Sequence, residues 1–101
     1  MASEADDIIH QPLRLKIMAA LNSLPPRESL EFTKLKSIVN ATDGNLGAHI
    51  ATLERADYIT VEKDFVGKKP RTRVFITRQG RKAFVQHVAY LQEILADAIS
   101  K

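Results

Sequence analysis

The order of two patterns between residues 42 and 77 constrains the fold most strongly. In the first pattern Leu46, Ile50 and Leu53 recur at helical spacing, which predicts a helix with one apolar face turned to a core. In the second, over residues 58–77, two runs of β-branched and aromatic residues in partial alternation predict a β-hairpin. A helix that leads directly into a hairpin indicates an α+β domain.

Basic residues concentrate in and after this hairpin. The predicted strands are residues 58–63 and 71–77, and the loop between them, residues 64–70, is predicted to form a long basic tip. The whole chain has a formal net charge of only +3. From residue 62 to residue 82, however, eight Lys or Arg stand against two acids, a local net charge of +6. This indicates a polyanionic partner; the alternative is a solvated edge that discourages strand aggregation.

Two further amphipathic helices precede the first pattern. Helical spacing predicts one helix after Pro12 and a second with Thr33 as its N-cap and Asn40 as its stop. Their apolar residues are Leu13, Ile17, Met18 and Leu21 in the first, and Phe32, Leu35, Ile38 and Val39 in the second. A short turn to Thr42, the predicted N-cap of the third helix, makes a helix-turn-helix. Residues 1–8 are acidic and without periodicity, so they are predicted to be a flexible N-terminus.

The last segment, residues 78–101, is predicted to be a long helix capped by Thr77. Its apolar residues repeat with alternating spacings of four and three and are Phe84, Val88, Leu91, Leu95 and Ala98. A helix of about 22 residues would extend roughly 33 Å, more than a domain of this size needs for its own core. We therefore expect a dimerisation helix with these residues at the interface; the alternative is that the stripe folds back onto its own subunit.

Composition excludes several classes of function. The 101-residue chain has no cysteine, which excludes disulfides, thiol redox chemistry and Cys-ligated metals. His10 and His87 are isolated in the sequence, so we expect no metal site and no cofactor. No catalytic constellation is present, so an enzyme is not expected. There is no apolar run of about 20 residues and no signal-peptide pattern, so we expect a cytoplasmic protein without membrane contact.

The order helix, short strand, helix, helix, hairpin, long helix resembles the winged helix-turn-helix fold. TDGNLGAHIATLERADYI is similar to the recognition helix of MarR-type and ArsR-type regulators. GKKPRTRVFITRQGRKAF resembles the wing and the start of the dimerisation helix in their small single-domain relatives. The resemblance covers about residues 9–95. It implies a mostly helical domain with a three-helix core and a β-hairpin wing over residues 9–77, followed by the dimerisation helix at 78–101.

In that family the recognition helix enters the major groove of DNA, and the wing lies along the backbone or in the adjacent minor groove. By position, the recognition-helix residues expected at the DNA are Thr42, Gly44, Asn45, Ala48, His49, Thr52 and Arg55. The wing residues expected there are Lys63, Lys68, Lys69, Arg71 and Arg73.

One departure from the family concerns Gly47-Ala48, where these regulators commonly have Ser and a second polar or basic residue. Neither Gly nor Ala can hydrogen-bond a base edge through its side chain. Specificity would then rest on Asn45, on a thymine methyl against Ala48, or on groove shape read by wing arginines. His49 is either a base reader or a packing residue.

The resemblance implies a dimeric, sequence-specific DNA-binding transcriptional regulator, a repressor by steric block. Its site would be a pseudo-palindrome with half-sites about one helical turn apart. Two alternatives stay open: a winged-helix adaptor that binds proteins, and a nucleoid-associated or RNA-binding protein with little sequence preference. Adaptors need exposed apolar patches, whereas this hairpin offers only Phe65 and Val66 at its tip. No residue pattern identifies a small-molecule effector, which would have to bind at or beside the dimer interface.

Overall fold

Four α-helices and a three-stranded antiparallel sheet make up the computed structural model, which describes residues 4–99. In chain order the elements are α1 (Pro12–Asn22), β1 (Ser29–Glu31), α2 (Phe32–Val39), α3 (Asp43–Arg55), β2 (Ile59–Val66), β3 (Lys69–Ile76) and α4 (Arg78–Ile99). The strand order is β1-β3-β2, so the short first strand pairs with the second strand of the hairpin. This is the predicted winged helix arrangement, with the hairpin as the wing.

Local signals in the sequence account for the helix-turn-helix. Asn40 ends α2 in a left-handed conformation with φ 54°. Thr42 caps α3 as predicted, because its hydroxyl accepts a hydrogen bond from the backbone N–H of Asn45 at 3.2 Å. The predicted N-cap at Thr33 is wrong. Helix α2 already begins at Phe32, with Glu31 at the N-cap position, so the helix starts two residues earlier than the capping pattern indicates.

The hairpin is longer, and its turn tighter, than the sequence predicts. The expected loop over residues 64–70 is mostly strand: β2 continues to Val66, β3 begins at Lys69, and the turn consists of Gly67 and Lys68. Gly67 has φ +62°, a left-handed conformation that glycine adopts without strain. The ladder extends this far because charged residues near its end pair across the strands, which strand propensity alone does not reveal.

The core lies where α1, α2 and α3 meet one face of the sheet. Its buried residues are Ile9, Ile17, Met18, Leu21, Leu35, Val39, Leu46, Ile50, Leu53, Ile59 and Val74. Helix α4 contributes Gly80 and His87 as buried residues. A Cβ at position 80 would collide with the backbone of Tyr58, so glycine is needed for the first turn of α4 to approach the residue before β2 this closely. Residues 100 and 101 of the predicted last helix lie outside the described residues.

Part of the N-terminal segment predicted to be flexible is anchored. The Asp6 carboxylate accepts hydrogen bonds from the backbone N–H groups two and three residues later, at 2.9 and 3.0 Å, and from the Tyr58 hydroxyl. The Asp6 N–H donates to Nδ1 of His87 in α4 at 3.0 Å. These hydrogen bonds connect residues 6–8, which the sequence predicts to be flexible, to Tyr58 and α4, while residues 1–3 lie outside the described part of the chain.

Candidate nucleic-acid interface

One face of α3 is exposed and carries the residues predicted to meet DNA. Leu46, Ile50 and Leu53 are buried, so the opposite side of the helix faces solvent. Of the predicted recognition residues, Thr42, Gly44, Asn45, Ala48 and Arg55 are exposed, and His49 and Thr52 are half-buried. The exposed face consists mostly of small and polar side chains, which lets another molecule approach the helix closely.

The N-terminus of α3 already has its own carboxylate. Asp43 lies in the first turn, where negative charge complements the helix dipole, and it pairs with Lys36 of α2 at 2.8 Å. The Thr42 hydroxyl uses one of the free N–H groups of this turn. A phosphate would therefore have to approach beside Asp43, which makes this helix end a weaker anion site than an uncapped one.

His49 is both packed and able to donate. Nη1 of Arg14 in α1 lies 3.2 Å from Nδ1 of His49. Because a guanidinium has donors but no acceptor, Nδ1 has to be the accepting nitrogen, and the ring proton of the neutral imidazole is then on Nε2. The ring is half-buried. The two roles left open by the sequence are compatible, since Arg14 orients the ring while Nε2–H remains a donor.

The second half of the exposed face is internally hydrogen-bonded. The Thr52 hydroxyl donates to the Ala48 carbonyl at 3.2 Å and accepts from Nη2 of Arg55 at 3.3 Å. Both hydrogen bonds keep the side chains of Thr52 and Arg55 close to the surface of α3. Asn45 is also exposed on this face, and its side-chain amide makes no hydrogen bond among residues 4–99.

The two faces of the wing differ in charge. Residues that pair across an antiparallel ladder share a face. The inner face, which continues the core side of the sheet, carries the pairs Val61–Val74, Lys63–Thr72 and Phe65–Pro70. The outer face carries the pairs Glu62–Arg73, Asp64–Arg71 and Val66–Lys69. The strands therefore segregate both acids and both arginines onto the face directed away from the core.

The two arginines of the wing are paired with these acids. Nε and Nη2 of Arg71 donate to the two oxygens of Asp64 at 2.9 and 2.6 Å. Arg73 contacts Glu62 at 3.0 Å and Asp64 at 3.3 Å. The hydrogen bond from Arg71 holds the pKa of the Asp64 carboxyl below its usual value, so the carboxylate stays ionised. Arg71 and Arg73 are thus neutralised within the wing.

The three wing lysines have no such partner. Lys63, Lys68 and Lys69 are exposed and form no ion pair within the described chain. Lys63 opens onto a groove of about 610 Å³ that separates the wing from α3. The groove is lined by Phe32, Gly47, Ile50, Ala51, Glu54, Val61, Lys63 and Thr72. A cation of the wing and the small residues of α3 therefore border the same concave surface.

Residues 13–95 match the family model described as a winged helix DNA-binding domain. The chain belongs to this family. The exposed face of α3 and the lysine-bearing wing are therefore parts of a winged helix DNA-binding domain. Its family and fold are those of DNA-binding transcriptional regulators, not of enzymes.

Relatives of this winged helix domain include archaeal proteins of nearly the same length. An uncharacterised protein from Methanocaldococcus jannaschii is 38% identical over 88 residues, which cover 87% of this chain and 89% of the relative. The solved structure of a transcriptional regulator homologue from Pyrococcus horikoshii OT3 has a TM-score of 0.80 at 30% identity, covering 90% of this chain and 87% of that one.

Two more distant structures share the fold. The heme sensor protein PefR from Streptococcus agalactiae, solved with heme, has a TM-score of 0.73 at 15% identity and covers 92% of this chain and 63% of its own. NadR, solved with 4-hydroxyphenylacetate, has a TM-score of 0.64 at 16% identity and covers 91% of this chain and 67% of its own. At these identities the likeness extends to the fold alone, and the fold is the one that the sequence predicts.

Not every cation near the wing is available to a ligand. Arg81, in the first turns of α4, donates to the backbone carbonyls of Asn22 and Leu24 at 3.0 and 2.8 Å. These carbonyls lie at the C-terminal end of α1, where a cation is favourable. The guanidinium therefore fastens α4 to α1. Arg78 and Lys82 are exposed on the same helix.

The apolar stripe of α4 divides into a packed half and an exposed half. Phe84, Val88 and Leu91 are half-buried, and Phe84 packs against the core. Leu95, by contrast, is 59% exposed, and Ala98 is exposed as well. The sequence reading missed three further apolar residues on the exposed surface of this helix, which are Val85, Ile94 and Ile99. A wider helical-wheel window than the strict heptad would have included them.

The described residues contain neither a metal-binding cluster nor a membrane-spanning helix. Within residues 4–99 no group of His, Cys, Asp or Glu is arranged to hold a metal ion. Over the same residues no helix has the length and apolar character needed to cross a membrane. His10 and His87, isolated in the sequence, do meet in the fold, with ring centroids 5.4 Å apart in a T-shaped contact.

Proposed function

We propose that this winged helix domain acts as a homodimeric, sequence-specific transcriptional regulator, with α3 in the major groove and the wing on the backbone and in the minor groove. The observation that carries the proposal is the shared groove. Small residues of α3 and Lys63 of the wing border one concave surface, so a single duplex can meet both.

Base readout in this proposal rests on few side chains. Asn45 is exposed and can hydrogen-bond an adenine edge in two places, and His49 offers Nε2–H to an acceptor such as guanine N7. Ala48 can only contact a thymine methyl. Because Gly47 and Ala48 lack polar side chains, much of the affinity comes from the wing and the phosphate backbone.

The wing supplies charge through its lysines. Lys63, Lys68 and Lys69 contact phosphates directly, since they are exposed and unpaired within the described residues. Arg71 and Arg73, which the sequence predicts as direct contacts, serve first to stiffen the hairpin through Asp64. Each of these arginines can contact a phosphate only if its ion pair with a wing carboxylate breaks.

The exposed half of α4 forms the dimer interface. Leu95 and Ile99 are 59% and 80% exposed, and a second copy of the helix would remove this apolar surface from water. A two-fold dimer presents two α3 helices to half-sites about one helical turn apart. Occupation of such a site blocks polymerase access, which makes the protein a repressor. No cofactor is assigned.

The test is selection of bound duplexes from a random pool at physiological salt, followed by sequencing. We expect a pseudo-palindrome for the wild type. Asn45→Ala should change the preferred base at one position of each half-site. Gln86→Ala, which removes an amide from the exposed surface of α4, should leave the site unchanged. A motif that is identical for Asn45→Ala contradicts the placement of α3.

A second candidate function is an architectural protein with little sequence preference. It is favoured by Gly47 and Ala48, which leave the centre of the exposed α3 face without a hydrogen-bonding side chain. Retention of duplexes without any recovered motif would select it over the regulator. Absence of retention would instead favour a protein-binding adaptor.

A further inference from the structure

The tip of the wing exposes two apolar side chains. Phe65 is 70% exposed and Val66 is 57% exposed, although both lie within β2. Exposed phenylalanine is costly in water and is not needed to form the two-residue turn that follows. The tip therefore carries an apolar group that the fold itself does not use.

The two side chains point to opposite faces of the ribbon. Phe65 pairs with Pro70 on the inner face, together with Lys63, and this face borders the groove beside α3. Val66 pairs with Lys69 on the outer face, beyond the arginines. A duplex held against α3 would meet Phe65 and not Val66.

The tip is also narrow and stiff. Gly67 and Lys68 close it in two residues, and adjacent strands are about 5 Å apart. The two hydrogen bonds between Arg71 and Asp64 clamp the ladder at the position next to Phe65. β-ribbons bind in the minor groove as well as in the major groove, and minor-groove proteins insert apolar side chains from such elements.

Charge around the tip identifies the partner. The unpaired lysines Lys63, Lys68 and Lys69 favour an anionic surface, and the exposed ring of Phe65 favours one that also has an apolar part. The minor groove of duplex DNA combines both, because apolar side chains can enter between its base steps. A rigid aromatic at the end of a cationic ribbon has the chemistry of such a wedge.

Building on the proposed function, we propose that Phe65 is an apolar wedge that enters the minor groove beside each half-site and partly unstacks one base step. Its contribution to binding does not depend on salt, because it replaces no counterion. It also makes binding favour flexible pyrimidine–purine steps at positions that α3 never touches. The wing would thus add sequence preference where Gly47 and Ala48 supply none.

The experiment compares Phe65→Ala with Val66→Ala on the duplex recovered by selection, with 2-aminopurine placed in turn at each flanking step. Both side chains are exposed, so both variants should fold, which circular dichroism checks. We expect Phe65→Ala to bind about tenfold more weakly with an unchanged salt slope. It should also lose the fluorescence rise that the wild type and Val66→Ala produce at one flanking step.

Any of three results would overturn the wedge. Phe65→Ala could bind as tightly as the wild type, it could retain the fluorescence rise, or the wild type could produce no rise. A change in sedimentation of DNA-free Phe65→Ala would show that the ring contacts a second copy, and would overturn it as well. Failure of the wild type to bind any duplex would instead refute the proposed function. The two failures are therefore distinguishable.

Discussion

Arg71 and Asp64 face each other across the wing and are joined by two hydrogen bonds of 2.9 and 2.6 Å. The same carboxylate lies 3.3 Å from Arg73. One acid therefore occupies both of the wing arginines that the sequence alone assigns to DNA. Asp64 therefore limits the contribution of the arginines, but not of the lysines, to the positive charge that the wing presents to phosphates.

Removing this acid should make the wing more cationic and less selective. In Asp64→Asn, Arg71 is free to contact a phosphate, so affinity for random duplex should rise and the salt slope should increase by about one. Discrimination between the selected site and random duplex should fall. Binding over a series of salt concentrations measures both. Glu28→Gln, which removes the same charge outside the wing, is the control; equal slopes for the two variants would contradict the prediction.

The lysines at the turn should act uniformly on all sequences. Lys68→Ala and Lys69→Ala should each weaken binding to every duplex and lower the salt slope by about one, because each removes one phosphate contact. The order of preferred sites should not change. Lys16→Ala, an exposed lysine on α1, is the matched control. If the turn variants bind with the slope of the wild type, the wing does not lie on the backbone.

Charge in the exposed half of α4 should dissociate the dimer without unfolding the subunit. Leu95→Glu combined with Ile99→Glu places two carboxylates in the proposed interface, where desolvation opposes them. Sedimentation should change from dimer to monomer while the circular dichroism spectrum remains that of the wild type. Gln86→Glu, on the other side of the same helix, should remain dimeric. If the wild type is a monomer at micromolar concentration, Leu95 and Ile99 do not form a dimer interface.

Stability should fall as the solution is acidified, because of His87. Burial lowers the pKa of its imidazole, the nearby His10 lowers it further, and Asp6 acts in the opposite direction. A folded-state pKa below the unfolded value means that His87 contributes stability above about pH 6.5 and loses it as the pH falls through the folded pKa. Protonation also removes the acceptor for the Asp6 N–H.

Urea unfolding between about pH 7 and about pH 5 measures this dependence. The wild type should lose free energy of unfolding over this interval. His87→Asn should be less stable near neutral pH and should show a smaller dependence. His10→Asn keeps the buried ring and should still lose stability on acidification. A wild type with no loss over this interval would refute the assignment.

Tyr58, which also contacts Asp6, acts at the opposite end of the pH range. Burial and then the hydrogen bond to Asp6 raise its pKa to about 12. Because the folded-state pKa lies above the unfolded one, this contribution is present at neutral pH and is lost only as the pH rises through about 10 to 12. It therefore does not interfere with the acid transition assigned to His87.

The sequence by itself determined the elements whose signals are local. The spacing of Leu46, Ile50 and Leu53 specifies which face of α3 is buried, and Thr42 specifies where it begins. The length of α4 and the presence of a hairpin before it also follow from periodicity, although the extent of the strands and the two-residue turn do not. Such features depend on neighbours within one helical turn or one ladder, so a linear reading contains them.

Only the tertiary structure decided which charged residues remain available. The sequence does not reveal that Arg71, Arg81 and Asp6 each have a partner within the protein. In the fold Arg71 is clamped by Asp64, Arg81 caps the end of α1, and Asp6 links the N-terminal segment to α4. Apart from the short hairpin pair, these contacts join residues more than fifty positions apart. Whether a charge meets a partner or a ligand depends on which strands and helices become neighbours, and periodicity carries no information about that.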